Sequence, residues 1–87
     1  MMHNKGISKL VEETGELSEI LGKISAAGFG ISPYTGINLT ERLQEELADV
    51  LASIDFLIEK NNLNDDEIQK RRRMKYCKFV KWDIQDD

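Results

Sequence analysis

Two acidic motifs recur along this 87-residue chain at helical spacing: Glu12-Glu13-Thr14-Gly15-Glu16 and Glu45-Glu46-Leu47-Ala48-Asp49. Each sets two carboxylates three residues apart, so both leave an α-helix on nearly one side. Like charges at that spacing repel and weaken an isolated helix by about 0.2–0.5 kcal/mol per pair. The four acids concerned, Glu13, Glu16, Glu46 and Asp49, read as lacking basic partners at the i, i+4 spacing. A chain that repeats this arrangement either supplies a cation from elsewhere or tolerates the repulsion. Four converging carboxylates are a site for a hard divalent metal.

Hydrophobic periodicity says what carries these motifs. Ile7, Leu10, Leu17, Leu21 and Ile24 form a helical stripe and predict a first helix over about Ile7–Ala27, closed by Gly28-Phe29-Gly30. Pro33 and Gly36 rule out a continuous helix beyond it. A second helix begins near Asn38 or Thr40, where Asn38 and Glu41 have capping-box spacing. Its stripe is Leu43, Leu47, Val50, Leu51, Ile54, Leu57 and Ile58, and it ends at Asn61-Asn62. Asn64 and Glu67 repeat the capping signal for a third helix, about Asp65–Trp82. With no strand pattern or repeat, the expected fold is all-α: a helical bundle in one domain spanning residues 1–87.

Charge narrows the partners. The net charge is -4, yet seven of the twelve basic residues fall between Lys70 and Lys81. The acidic balance argues against a general nucleic-acid binder, whereas a local basic helix suits a small phosphorylated ligand. The single cysteine, Cys77, excludes an intrachain disulfide and reads as a minor structural residue. The N-terminus lacks an apolar signal core, and no apolar run reaches membrane-spanning length. The expectation is a soluble cytoplasmic protein with no membrane partner. The only histidine, His3, is given no role.

Projection at roughly 100° per residue places the acids relative to the stripes. Glu13 falls on the flank of the first stripe and Glu16 just outside it, while Glu12 and Glu19 point away. On the second helix Glu46 lies at the edge beside Val50 and Leu57, Asp49 further round, and Ser53 on the same side; Glu45 points away. Packing the two stripes together brings four carboxylates to one rim of the interface. Unpaired carboxylates desolvated there either destabilise the fold or take up protons. A divalent cation removes the difficulty. With only carboxylate ligands on offer, Mg²⁺ is the expected metal and Mn²⁺ the alternative. The bland counterpart is a solvated acidic face; the duplication and the shared flank weigh against it.

The pattern Glu-Glu-x-x-Glu, a spacer, then Glu-x-x-Asp, each on a helix, resembles the all-α nucleoside triphosphate pyrophosphohydrolase superfamily, which includes the MazG proteins and the dimeric dUTPases. Lys9-Leu-Val-Glu-Glu-Thr-Gly-Glu-Leu17 and Glu45-Glu-Leu-Ala-Asp-Val-Leu51 look like the small single-domain MazG-like proteins, including those of phages, and the resemblance covers about Ile7 to Ile58. It implies Glu13, Glu16, Glu46 and Asp49 as metal ligands, and Glu12 as a helper for a second metal or for the attacking water. It also implies a basic residue of the third helix facing the phosphates; Arg71, Arg72, Lys75 and Lys78 stand as unranked candidates. The reaction implied is Mg²⁺-dependent hydrolysis of a nucleoside triphosphate between its α- and β-phosphates, releasing a monophosphate and pyrophosphate. The preferred nucleotide is not specified by these motifs. For base stacking, Tyr34 in the Pro33 loop is the leading candidate, with Phe29 and Trp82 behind it; Trp82 and Phe79 share a helical face with Ile68 and read as packing residues.

Two departures from the family pattern shape the quaternary expectation. No helix precedes the first motif, and 29 residues separate Glu16 from Glu46. Apolar surface left open by the missing helix implies a partner subunit, so that three helices per chain are completed as a homodimer or a dimer of dimers. Two other classes remain as alternatives: a non-catalytic helical interaction module, and nucleic-acid binding through the Lys70–Lys81 helix. A di-iron carboxylate bundle is set aside because it needs Glu-x-x-His pairs.

Overall fold

The computed structural model describes residues 5–86, so His3 lies outside the described residues. Three helices follow one another: α1 (Ile7–Ala27), α2 (Leu39–Lys60) and α3 (Asp65–Asp86). The bounds of α1 and α2 agree with the periodicity. α3 continues past the expected end at Trp82, because neither glycine nor proline follows to stop it.

Local chemistry sets each boundary. At the start of α2 the Asn38 side-chain oxygen accepts from the Glu41 N–H at 3.1 Å, and at the start of α3 Asn64 does the same for Glu67 at 3.0 Å. Gly28 ends α1 with φ 85°, donating its N–H to Ile24 O at 2.6 Å. The connection to α2 is tied rather than loose. Ile31 and Asn38 form an antiparallel bridge, Ser32 N–H donates to Ile37 O at 2.8 Å, and Leu39 N–H to Gly30 O at 2.7 Å.

α1 and α2 pack as an antiparallel hairpin. Its open end is fastened by Asn61, whose side-chain amide donates to Lys5 O at 2.7 Å and to Leu57 O at 2.9 Å. Gly6 presses against α2 there: a Cβ would sit 2.9 Å from a Phe56 ring carbon, and φ is +86°. Only glycine meets both demands.

Along α1 the residues turned toward α2 are Leu10, Glu13, Leu17, Ile20 and Ile24, and along α2 they are Leu39, Leu43, Glu46, Val50, Ser53 and Leu57. Both series alternate steps of three and four, the spacing of a helix-pair seam. The core is Ile20, Ile24 and Leu39, with Leu17 and Leu43 packed against it. The seam is rotated from the expected stripes. Ile7, Leu21, Leu47 and Leu51, assigned there by periodicity, are exposed, while Glu46 and Ser53 lie inside. The helices carry more apolar residues than one partner helix can cover, so some of those residues end on the outer side.

α3 stands apart, packing against neither α1 nor α2 beyond the junction that joins it to the hairpin. The radius of gyration is accordingly 16.1 Å, where a compact chain of this length would give about 12 Å.

Leu39 is 2% exposed and closes the core from the α2 side. Leu39→Ala should lower unfolding free energy by about 2–5 kcal/mol in urea titration. A loss under about 1 kcal/mol would mean the core rests elsewhere.

Candidate metal centre

The two seams carry their acids in matching places. Glu13 occupies a seam position on α1 and Glu46 one on α2; Glu16 and Asp49 follow three residues later, on the flank of each helix. One carboxylate oxygen from each of Glu13, Glu16, Glu46 and Asp49 lies within 4.8 Å of the other three. The four residues singled out in the sequence are thus brought together.

Their burial differs from expectation. Glu46 is not at the edge of the interface but within it, only 3% exposed; Glu13 is half-buried, and Glu16 and Asp49 are exposed. Nor is Glu46 without a basic partner. Arg42, one turn earlier, donates from Nη2 to Glu46 Oε1 at 3.0 Å and from Nη1 to Glu45 Oε1 at 3.3 Å. Arg42 stands four residues before Glu46, which corrects the reading that these acids lack basic partners at that spacing.

Arg42 serves only one oxygen of Glu46. Glu46 Oε2 and Glu13 Oε2 are buried with no hydrogen-bond partner in the protein. Ser53, buried one heptad beyond Glu46, gives its hydroxyl proton to Val50 O at 2.8 Å and so has none for the carboxylate. The result is electrostatic tension. Burial, then the charges of Glu16, Asp49 and Glu12, push the Glu13 carboxyl above its usual range against the opposing pull of Lys9. Burial first, then the charge of the neighbouring Glu16, push Glu46 up; Asp49 adds to this and Arg42 opposes it. Two orphaned, buried oxygens among four all-oxygen donors fit a hard divalent cation, which supplies the missing charge and the missing partners together.

Two depressions border the cluster, Glu16 lining one and Glu13 and Asp49 the other. A cleft of about 650 Å³ lies between the C-terminal half of α1, the 28–38 connection and the start of α2; its walls include Glu16, Lys23, Ser32, Tyr34, Thr35 and Arg42. A shallower recess of about 450 Å³ is lined by Lys9, Glu13, Asp49 and Phe56 among others.

The remaining candidates divide. Tyr34 lines the larger cleft while staying 88% exposed. Glu12 stays outside the cluster, its carboxylate 3.8 Å from Lys9 Nζ. Arg71, Arg72, Lys75 and Lys78 lie on exposed turns of α3, and none pairs with a carboxylate among the described residues. Within one chain, α3 does not bring them to the acids. Phe29 and Trp82 are exposed and line neither depression. Cys77 is exposed on α3 rather than part of a core. The cations that do border the acids, Arg42, Lys23 and Lys9, drew no functional reading from the sequence. Their signal was present in the i−4 placement of Arg42 to Glu46 and of Lys9 to Glu13.

Comparison of the chain with protein families, with curated proteins and with solved structures finds no match.

The raised carboxyls make a definite pH signature. In the unfolded chain Glu46 returns to its ordinary value, so between that value and the raised one the folded state holds more protons. Its stabilisation is whole below 4.5 and is lost as pH climbs through the raised value. In chelator, the melting temperature of Glu46→Gln should therefore gain on that of the parent as pH rises from about 5 to about 8. A difference that stays constant across that range would show that Glu46 ionises normally.

Proposed function

We propose that this chain is a Mg²⁺-dependent nucleoside triphosphate pyrophosphohydrolase of MazG-like type, with Mn²⁺ as an alternative ion. The observation that carries the reading is the convergence of Glu13, Glu16, Glu46 and Asp49 with two buried oxygens left unpartnered. These four side chains would hold the ion. When bound, it would offset the charge of phosphate oxygens and lower the pKa of a coordinated water.

The chain's own groups account for the remaining needs. A triphosphate brought to four carboxylates meets repulsion, and cations must border the site. Arg42 and Lys23 face the larger cleft beside Glu16, and Lys9 lines the recess beside Glu13 and Asp49. There they would attract phosphate oxygens and offset charge on a leaving pyrophosphate. Glu12, exposed beside Lys9 and one residue before Glu13, would be the group that accepts a proton from an attacking water. The cleft volume suits a nucleoside, with Tyr34 offering a stacking surface and Ser32 and Thr35 offering hydroxyls. The products are a nucleoside monophosphate and pyrophosphate.

The exposed apolar surface favours one second reading, a helical interaction module that keeps the fold without turnover. A single assay separates the two. Folded protein should release pyrophosphate together with a monophosphate from one or more (deoxy)nucleoside triphosphates in Mg²⁺ and not in chelator. Glu13→Gln and Asp49→Asn should each lower that rate by at least about 100-fold with helix content unchanged by circular dichroism. Absence of release from every triphosphate tried would leave the interaction module standing.

A further inference from the structure

α3 gathers the positive charge of a chain that is acidic as a whole. Between Lys70 and Lys81 it carries seven of the twelve basic residues and no acid, although the net charge is -4. The acids of α3 are kept to its ends: Asp65, Asp66 and Glu67 in the first turn, and Asp83 after the last cation. None of these cations pairs with a carboxylate among the described residues. The helix packs against neither α1 nor α2, so the acidic hairpin gives them no counter-charge at contact. The whole-chain balance that weighs against nucleic acid is thus an average over two parts of opposite sign.

The cations do not form one face. Projected at about 100° per residue, they take up about three-quarters of the helix circumference, from Arg73 round through Lys70, Lys78 and Lys75 to Arg72. Gln69, Tyr76 and Val80 fill the remaining sector. Trp82 falls between Arg71 and Lys75, and Phe79 between Lys75 and Arg72, so the aromatic groups are interleaved with charge rather than opposed to it. Every residue from Lys70 to Lys81 is exposed, and the hairpin blocks no side of this rod.

We infer that α3 binds duplex DNA, lying in the major groove with its cations on the phosphates of both walls. A flat anionic surface meets a helix on one side and leaves the cations of the other side unmet. A lipid bilayer further requires a separate apolar face, which α3 lacks. A groove meets both sides. An α-helix with its side chains is about 10–12 Å across, and the major groove of DNA is about 12 Å wide. In A-form RNA that groove is too deep and narrow for side chains to read. Single strands are held in grooves with stacking platforms, whereas α3 is convex. The contacts are to phosphates, so binding depends on salt and is largely indifferent to base sequence. It uses α3 alone and is independent of the carboxylate cluster and of nucleotide hydrolysis.

The test is fluorescence anisotropy of a labelled DNA duplex of arbitrary sequence, titrated with the full chain in chelator so that no ion bridges the acids to phosphate. Contact with about five phosphates gives a slope of about −4.5 in log K against log salt, a loss of about 500-fold between about 50 and about 200 mM KCl. Arg71→Ala combined with Lys78→Ala replaces two exposed side chains by a strong helix former. It should make the slope shallower by about 2 and weaken binding by about 10-fold or more, with helix content unchanged by circular dichroism. In the parent protein, amide resonances of Lys70–Lys81 should shift on adding the duplex while those of Leu17–Ile24 stay in place. Absence of binding at about 50 mM salt and about 100 µM protein would overturn the inference. So would a slope that the double variant leaves intact, shifts confined to the hairpin, or equal or tighter binding to anionic phospholipid vesicles or to an RNA duplex of the same sequence.

Discussion

Two glutamates occupy places in the α1–α2 seam that a helix pair ordinarily gives to leucine or isoleucine. Everything else follows from accommodating them. Their burial divides the seam, leaving an apolar core at the end where Ile20, Ile24 and Leu39 meet. It draws Arg42 across the surface to one oxygen of Glu46 and leaves the other without a partner. Removing one partner of a buried polar group costs far more than an exposed pair returns. The seam therefore contains a built-in demand for positive charge that Arg42 meets only in part.

That demand also explains where the concave surface lies. The connection between α1 and α2 is pinned by backbone hydrogen bonds and by the Thr40 hydroxyl, which accepts from Gly30 N–H at 2.9 Å. It forms a firm wall beside Glu16 rather than a loose lid. Glu16, the arginine that partners Glu46 and the polar groups of the connection thus line one cleft, while Glu13 and Asp49 open on a second recess.

Much of the secondary structure was legible because its signals are local: Gly28 past a helix end, Asn38 and Asn64 before helix starts, and apolar residues at helical steps. The four acids were legible for the same reason, since spacing within each helix and a shared flank sufficed to bring them together. What failed was the rotation of the helices. An apolar average places the seam between Leu43 and Leu51, but the real seam passes through Glu46 and Ser53, and only the partner helix decides that. With the rotation misjudged, Glu46 read as an edge residue; the Arg42 spacing was legible and went unread. The extent of α3 was missed in a different way, for nothing in the sequence after Trp82 marks a stop. Its isolation from the hairpin has no local signature at all, because it depends on which tertiary contacts form.

The tie between Asn61 and Lys5 has a kinetic counterpart. Within this chain, the packing that defines the fold joins two helices adjacent in sequence, through a short connection fastened at one end and a side-chain clasp at the other. Closing such a hairpin asks little loop entropy, so its two arms meet on the fast timescale of local helical contacts. α3 lies outside that event. It has no partner within the hairpin to hold it and, as a single helix in water, only marginal persistence. Ordering of the chain thus separates into a rapid unimolecular step for α1 and α2 and a later consolidation of α3 that waits on whatever it meets.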